Sequence, residues 1–100
     1  VVADKIGFQP GDVVRKGALP LLVVGIRVGS YLCLSFRFHP GEKFPDSLQY
    51  CYPAGELRLA DAITKLIVYR NAMRAAGRKR NFLPRSVHEK IVTTLREEAR

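Results

Sequence analysis

Between Asp61 and Glu89 the chain has no acidic residue, yet seven bases lie there: Lys65, Arg70, Arg74, Arg78, Lys79, Arg80 and Arg85. One or two bases suffice to complement a helix C-terminal dipole, so that ordinary explanation does not cover the run. Cysteine is scarce as well. Cys33 and Cys51 are the two in the chain, too few to staple a core-poor scaffold, and they are expected as buried thiols of a reducing compartment. Neither they nor His39 and His88 stand in a CxxC or HxxxH spacing, so the sequence calls for no metal.

What is present is a chain of two electrostatic halves. Residues 1–61 carry seven Lys/Arg against six Asp/Glu, a balance of +1, and residues 62–100 carry ten against three, a balance of +7. Together they make the formal +8 of the whole chain. An excess concentrated in this way points to a polyanionic partner, nucleic acid above all. Apolar residues at 47% and charged residues at 26% imply folding rather than disorder. One domain over residues 1–100 is expected, with a β-rich part at 6–59 and a basic helical hairpin at 60–100. The first residues, Val1-Val2-Ala3, have no initiating Met, as expected of a processed chain or an excised domain.

One apolar run, Ala18 to Phe36, is about as long as a bilayer span, with Arg27 as its single charge. Pro20, Gly25, Gly29 and Ser30 punctuate it, and Arg27 near a bilayer centre would cost about 3 kcal/mol. The run also alternates with period two. No signal-peptide pattern precedes it. A cytoplasmic protein without a membrane association is expected.

The alternation sets the element assignment. Phe8 to Asp12 is a turn, Val13-Val14-Arg15 starts a strand, and Leu21–Val28 and Tyr31–Phe38 are further strands. Leu32, Leu34, Phe36 and Phe38 share one face, and Cys33, Ser35, Arg37 and His39 the other, the pattern of a half-buried strand. A Gly29-Ser30-Tyr31 loop would oppose Val28 to Leu32, Ile26 to Leu34 and Val24 to Phe36, placing Arg27 and Arg37 on the outer face. After a turn at His39–Lys43, Leu48–Tyr52 supplies the next strand, and Glu56–Leu59 is a last short strand or the entry to a helix. Asp61 is the expected N-cap of a helix with Ile63, Leu66, Ile67, Arg70 and Met73 at helical spacing and Gly77 as its stop. Ser86-Val87-His88-Glu89 reads as a capping box, followed by the apolar stripe Val87, Ile91, Val92 and Leu95. Phe82 and Leu83 would anchor the connection. The fold class is α+β: a small SH3-like curled antiparallel sheet or barrel followed by a C-terminal two-helix hairpin.

The run Gly11-Asp12-Val13-Val14-Arg15-Lys16, then Pro20 and Leu21-Leu22-Val23-Val24, resembles the opening of YodC-like small proteins of the DUF2158 type. Cys33-Leu34-Ser35-Phe36 and Glu56-Leu57 are similar to the later parts of that pattern. The resemblance covers residues 8–57. It implies a small barrel and brings no catalytic residues.

The functional candidates follow from charge. Arg70, Arg74 and Arg78 recur at i, i+4, i+8 and so line one helix face; Lys79, Arg80 and Arg85 continue past its end. Such a ridge can track a phosphate backbone, where Arg forks grip phosphate oxygens, against the plainer reading of a solvated face. Arg27, Arg37, His39, Tyr31 and Tyr52 are secondary candidates for charge and stacking on the sheet, against an ordinary polar face. Ser86 with His88, and Cys33 with His39, are the nearest nucleophile–base pairs, but no acid partner or oxyanion site accompanies either. Gly7, Gly11 and Gly17 do not open a helix as a phosphate loop requires. A non-enzymatic nucleic-acid-binding accessory or regulatory protein without cofactor is expected, DNA and RNA being undecided. The alternative is a protein-interaction module that binds an acidic partner or forms a homodimer through its helices.

Overall fold

A computed structural model of the chain describes residues 7–37, 46–78 and 83–99. Five strands come first: β1 (Val13–Lys16), β2 (Leu19–Arg27), β3 (Ser30–Arg37), β4 (Asp46–Pro53) and β5 (Arg58–Leu59), with a 3-10 turn at Ala54–Glu56 before the last. Two helices follow, α1 (Ala62–Arg78) and α2 (Arg85–Glu98). The strands form one antiparallel sheet in the order β4-β3-β2-β1-β5. Neighbours in sequence pair throughout, except that β5 returns beside β1. The class is α+β, as the sequence implies. The sheet is curled but open, since β4 and β5 end it without pairing to each other. The apolar run from Ala18 to Phe36 becomes the β2–β3 hairpin, and no helix among the described residues is long and apolar enough to cross a membrane.

Both faces of the sheet are buried. Val13, Leu22 and Leu34 meet Val68, Tyr69 and Ala72 of α1 and Leu83, Val87 and Ile91 from α2 and its approach. On the other side Val14, Leu21, Val23, Tyr31 and Cys33 gather under Phe8 and Leu57. Adjacent residues such as Val13 and Val14 therefore point into different cores, which is why these strands read as near-continuous apolar runs. This corrects the expectation that Cys33 and Ser35 belong to a solvated face: both are buried. The curl brings Phe8, Leu57, Tyr52 and Ala54 over a surface that a flat sheet would leave wet.

The hairpin register also differs from the expected one. Arg27 pairs with Ser30, Ile26 with Tyr31 and Gly25 with Leu32; a bulge at Val24 then resets the ladder to Val23 with Cys33 and Leu22 with Leu34. The turn is Val28-Gly29, with Gly29 at φ 73°, matching the two-residue hairpin turns that need positive φ. Val28 is fully exposed and Ile26 mostly so. The burial argument presumed one dry face. With two dry faces, either parity buries apolar residues, and turn geometry together with the bulge selects the register.

Helix boundaries show two more corrections. α2 starts one residue before the expected cap. Pro84, extended at ψ 145°, precedes it, and its carbonyl accepts the His88 N–H at 3.0 Å. Ser86 therefore lies inside the first turn and caps nothing, while Glu89 turns to Arg85. Gly77 lies within α1 and is not among the glycines of positive φ, so it is not a left-handed stop. The expected turn at His39–Lys43 and the Phe82 anchor fall outside the described residues.

The helices are fixed to the sheet at one turn. Gly11 takes φ 99°, its N–H donates to the Val23 carbonyl at 2.7 Å, and its own carbonyl accepts the Tyr69 hydroxyl of α1. Asp12 accepts the Gln9 N–H at 2.9 Å and Lys90 Nζ of α2 at 3.0 Å. A Cβ on Gly11 would stand 2.6 Å from Lys90 Cδ. Gly11→Ala is accordingly expected to lose about 1–3 kcal/mol from backbone strain, read as a lowered thermal midpoint. Tyr69→Phe keeps the ring but strands a buried carbonyl, a loss of about 1–3 kcal/mol in the same melt.

Alkali provides a second check. Burial, with Asp12 nearby, pushes the Tyr69 hydroxyl from 10.0 up to about 12, and burial pushes the Cys33 thiol from 9.0 up to about 11, with Cys51 adding to it. Both groups hold their protons more tightly when folded. Their contribution is complete below pH 9 and is lost as pH rises through 9–11 for Cys33 and 10–12 for Tyr69. A melting series over this range should show the midpoint falling, with the upper part of the fall flattened in Tyr69→Phe.

Candidate nucleic-acid interface

The basic half of the chain is presented by α1. Asp61 starts it: its Oδ1 accepts the Thr64 N–H at 2.7 Å, the N-cap geometry the sequence implies. That backbone N–H, then the Thr64 hydroxyl, holds the Asp61 carboxyl below the usual range. After this cap no acid follows through Arg78.

The rotation of α1 decides what faces outward. Val68, Tyr69, Ala72 and Ala75 are buried, whereas Ile63 is 73% and Ile67 51% exposed. The expected stripe of Ile63, Leu66, Ile67, Arg70 and Met73 is thus not the packing face; Leu66 and Met73 are half-buried at its flank. Small Ala72 and Ala75 allow close approach to the sheet, and the Tyr69 hydroxyl bond to Gly11 sets the angle. At about 100° per residue, Ile63, Ile67, Arg70 and Arg74 fall within about 60° of arc, opposite the buried set. Arg70 and Arg74 are both exposed. The stripe runs about 16 Å along the axis, apolar at its start and cationic at its end.

The remaining candidates divide. Arg78 ends α1 four residues beyond Arg74, while Lys79 and Arg80 lie outside the described residues. Arg85 is on the surface at the start of α2, its Nε 3.1 Å from Glu89 Oε1. Such an exposed pair is worth about 0–1 kcal/mol, so it opposes a competing phosphate only weakly. Lys65 leans toward the Tyr69 ring, 5.6 Å from its centroid, and away from the stripe. Lys90 is held by Asp12.

On the sheet, Arg27 and Arg37 do not form a pair. Arg27 is exposed opposite Ser30, at the start of β3, and Arg37 pairs with Asp46 at its end. Seven residues of strand separate the two ends, roughly 23 Å. The tight Val28-Gly29 turn is what sets Arg27 opposite Ser30 and out of the expected register; the bulge at Val24 acts only beyond it, on Val23 and Leu22. Tyr31 is no stacking platform either. It is buried, its hydroxyl accepts the Phe8 N–H at 3.0 Å, and its ring stands edge-on to Phe8 at 5.2 Å. Tyr52 is half-buried with Lys16 Nζ 5.5 Å from its ring. His39 falls outside the described residues.

Chemistry of other kinds finds no assembled site among the described residues. No group of three or more His, Cys, Asp or Glu is close enough to hold a metal. The register opposes Cys33 to Tyr50 and Cys51 to Leu32, so the two thiols go to opposite faces, one buried and one exposed. A cleft of about 550 Å³ lies between Phe8, Asp12, Ala54, Gly55, Leu57 and Arg58. Its one carboxylate, Asp12, is already engaged by Lys90 and the Gln9 N–H. Sequence reasoning missed the outward Ile63 and Ile67. The cue was present in Val68-Tyr69 and Ala72, Ala75, Ala76, a second and smaller apolar face at helical spacing.

Comparison with protein-family models, with curated proteins and with solved structures finds no match to this chain.

The orientation of α1 is testable by stability alone. Replacing Ile63 and Ile67 together by Gln is expected to change stability by no more than about 0.5 kcal/mol per site, as at other exposed positions. Ala72→Leu, which overpacks the closest contact with the sheet, should remove about 1–3 kcal/mol. Urea titrations of the two variants give the comparison; the opposite ranking would mean that the helix is rotated.

Proposed function

We propose that this is a non-enzymatic, cytoplasmic nucleic-acid-binding protein with an accessory or regulatory role, and that it grips the phosphate backbone with the outward face of α1 and the basic run that follows. The observation that carries this reading is the pairing of an acid-free helix with outward Arg70 and Arg74, on the half of the chain that bears +7. Arg78, Lys79, Arg80 and Arg85 extend the contact. Arg27 and Arg37 stand apart from one another and serve at most as separate, secondary contacts. Residues 8–57 are taken in the same proposal as a YodC-like module whose sheet supports the helices.

Recognition of this kind positions without reading sequence, because phosphates carry no base identity. A second reading is supported by one feature of the same stripe. Ile63 and Ile67 are exposed in line with Arg70 and Arg74, and Leu59, just before the helix, is 63% exposed. An acidic protein segment with its own apolar residues would match that sequence of chemistry, and bare phosphate would leave the isoleucines unused.

The test is fluorescence anisotropy with labelled duplex DNA and RNA across a salt series. With about five phosphate contacts, log K should fall with log salt at a slope near −4 to −5 on duplex DNA. Arg70→Ala with Arg74→Ala should reduce the magnitude of the slope by about 2, while Ile63→Gln with Ile67→Gln leaves it unchanged. A flat salt response overturns the proposal. Binding abolished by the isoleucine changes alone transfers support to the acidic-partner reading.

A further inference from the structure

The two edges of the sheet are very different. β5 has two residues, Arg58 and Leu59, before the chain leaves for α1. β4 has eight, and its inner side is laddered to β3 along the whole length, from Arg37 opposite Asp46 to Ser30 opposite Pro53. Among the described residues nothing pairs with its outer side. An edge of that length is a template for another strand, and proteins that stay single blunt it with lysines, prolines, bulges or brevity. β4 has none of these in its interior. Between Asp46 and Pro53 the sequence is Ser47-Leu48-Gln49-Tyr50-Cys51-Tyr52, with no charge, no glycine and no proline. Its ladder to β3 is continuous and free of bulges. Gln49, Tyr50 and Cys51 are exposed.

We infer that β4 is a homodimer interface: two copies of this chain pair β4 with β4 in antiparallel fashion, joining two five-stranded sheets into one. The occupant follows from the edge itself: a strand that nothing blunts pairs with its own copy. Each copy carries +8, which opposes association in general and leaves an uncharged segment as the place where two copies meet with least repulsion. The interior of β4 is the longest exposed strand edge without any charge. Like charges placed directly opposite across strands destabilise pairing, and here there are none to place. Self-pairing about a two-fold axis is also closed, so it stops at two. Pairing β4 with β5 of another copy would build rings or filaments, but β5 offers only two residues of backbone. A two-fold axis that makes neighbouring strands antiparallel is perpendicular to the sheet. Both helix layers therefore come to the same side of the joined sheet, and their outward faces are doubled there. The inference does not depend on what those faces bind.

The experiment uses the full chain, freed of nucleic acid in high salt, over a concentration series in sedimentation equilibrium. The expected species is twice the 11.2 kDa of one chain. Gln49→Lys with Tyr50→Lys places four like charges at the seam, and should raise the dissociation constant about tenfold or more. The melting midpoint of that variant at low concentration shows whether its fold survives. A short bismaleimide should join two copies through exposed Cys51 and fail with Cys51→Ser. Should the folded lysine variant prove a poor choice, Gln49→Glu with Tyr50→Glu gives the same loss by the opposite sign. A monomer at every concentration overturns the inference. So does a dimer that both substitutions leave intact, or a ring of more than two.

Discussion

The bond between the Tyr69 hydroxyl and the Gly11 carbonyl is the point on which the arrangement of the molecule turns. It joins residues 58 apart in sequence and is made where three elements meet. The Gly11 N–H and the Asp12 carbonyl both hold Val23 of β2. Asp12 holds Lys90 of α2, and the Val13 carbonyl accepts the Ala60 N–H at 3.0 Å just before α1. Glycine is required at position 11 because the backbone there is left-handed and Lys90 occupies the space a side chain would need. Burial keeps the Tyr69 hydroxyl protonated far into the alkaline range, and so keeps it a donor. With Tyr69 pinned, α1 has one rotation about its axis. That rotation turns Ala72 and Ala75 to the sheet and carries Ile63, Ile67, Arg70 and Arg74 outward.

The same turn explains how much of the fold was legible. Gly11-Asp12-Val13-Val14 announced a turn feeding a strand, and each of its residues has a physical duty: φ, a carboxylate for two donors, and one valine for each core. The Asp61 cap and the α2 stripe of Val87 and Ile91 were also legible as local signals, although the same kind of signal misplaced the start of α2 at Ser86 and the stop of α1 at Gly77. What failed was inference that needed the other side of the sheet. Calling one face of β3 wet led to a register that buried Val28 and Ile26, and the curl that covers Cys33 comes from Phe8 and Leu57, distant in sequence. α1 misled for a related reason. Its large apolar residues are the exposed ones, while its core contacts are alanines, a valine and a tyrosine that hydropathy alone ranks lower. Arg70 and Arg74 were legible as one face; the two-residue turn that places Arg27 at the opposite end of β3 from Arg37 was not.

Charge contributes little to holding this fold together, and that bears on its use. Three ion pairs, Lys16 with Glu56, Arg85 with Glu89 and Lys90 with Asp12, are partly or well exposed. The two exposed pairs, Lys16 with Glu56 and Arg85 with Glu89, add about 1 kcal/mol or less each. The two cores do the stabilising. Three acids in residues 62–100 cannot offset ten bases, and one of the three, Glu89, already faces Arg85. The N-terminal half lends Asp12 to Lys90, yet its own balance is +1, so it has no surplus of carboxylates to bring. Self-repulsion of this size opposes compaction.

The layout also separates two kinds of surface that would otherwise compete. The helix layer carries Arg70 and Arg74 outward on one side of the sheet, and β4 lies at the far edge from β5 and β1, where the Gly11 turn ties the helices down. An uncharged edge and a charged helix face favour different partners under different conditions. Pairing of two β4 edges, each on a chain of +8, would be helped by salt, which screens the repulsion between copies; contacts of Arg70 and Arg74 with an anion weaken as salt rises. The isoleucines on α1 sit between these limits. If they serve only as a neutral spacer ahead of the arginines, salt alone should govern what α1 binds. If they are buried by a partner, affinity should persist at salt concentrations where phosphate contacts are lost, and burial of two such side chains, at about 1.5–3 kcal/mol each, is large enough to decide between the two cases.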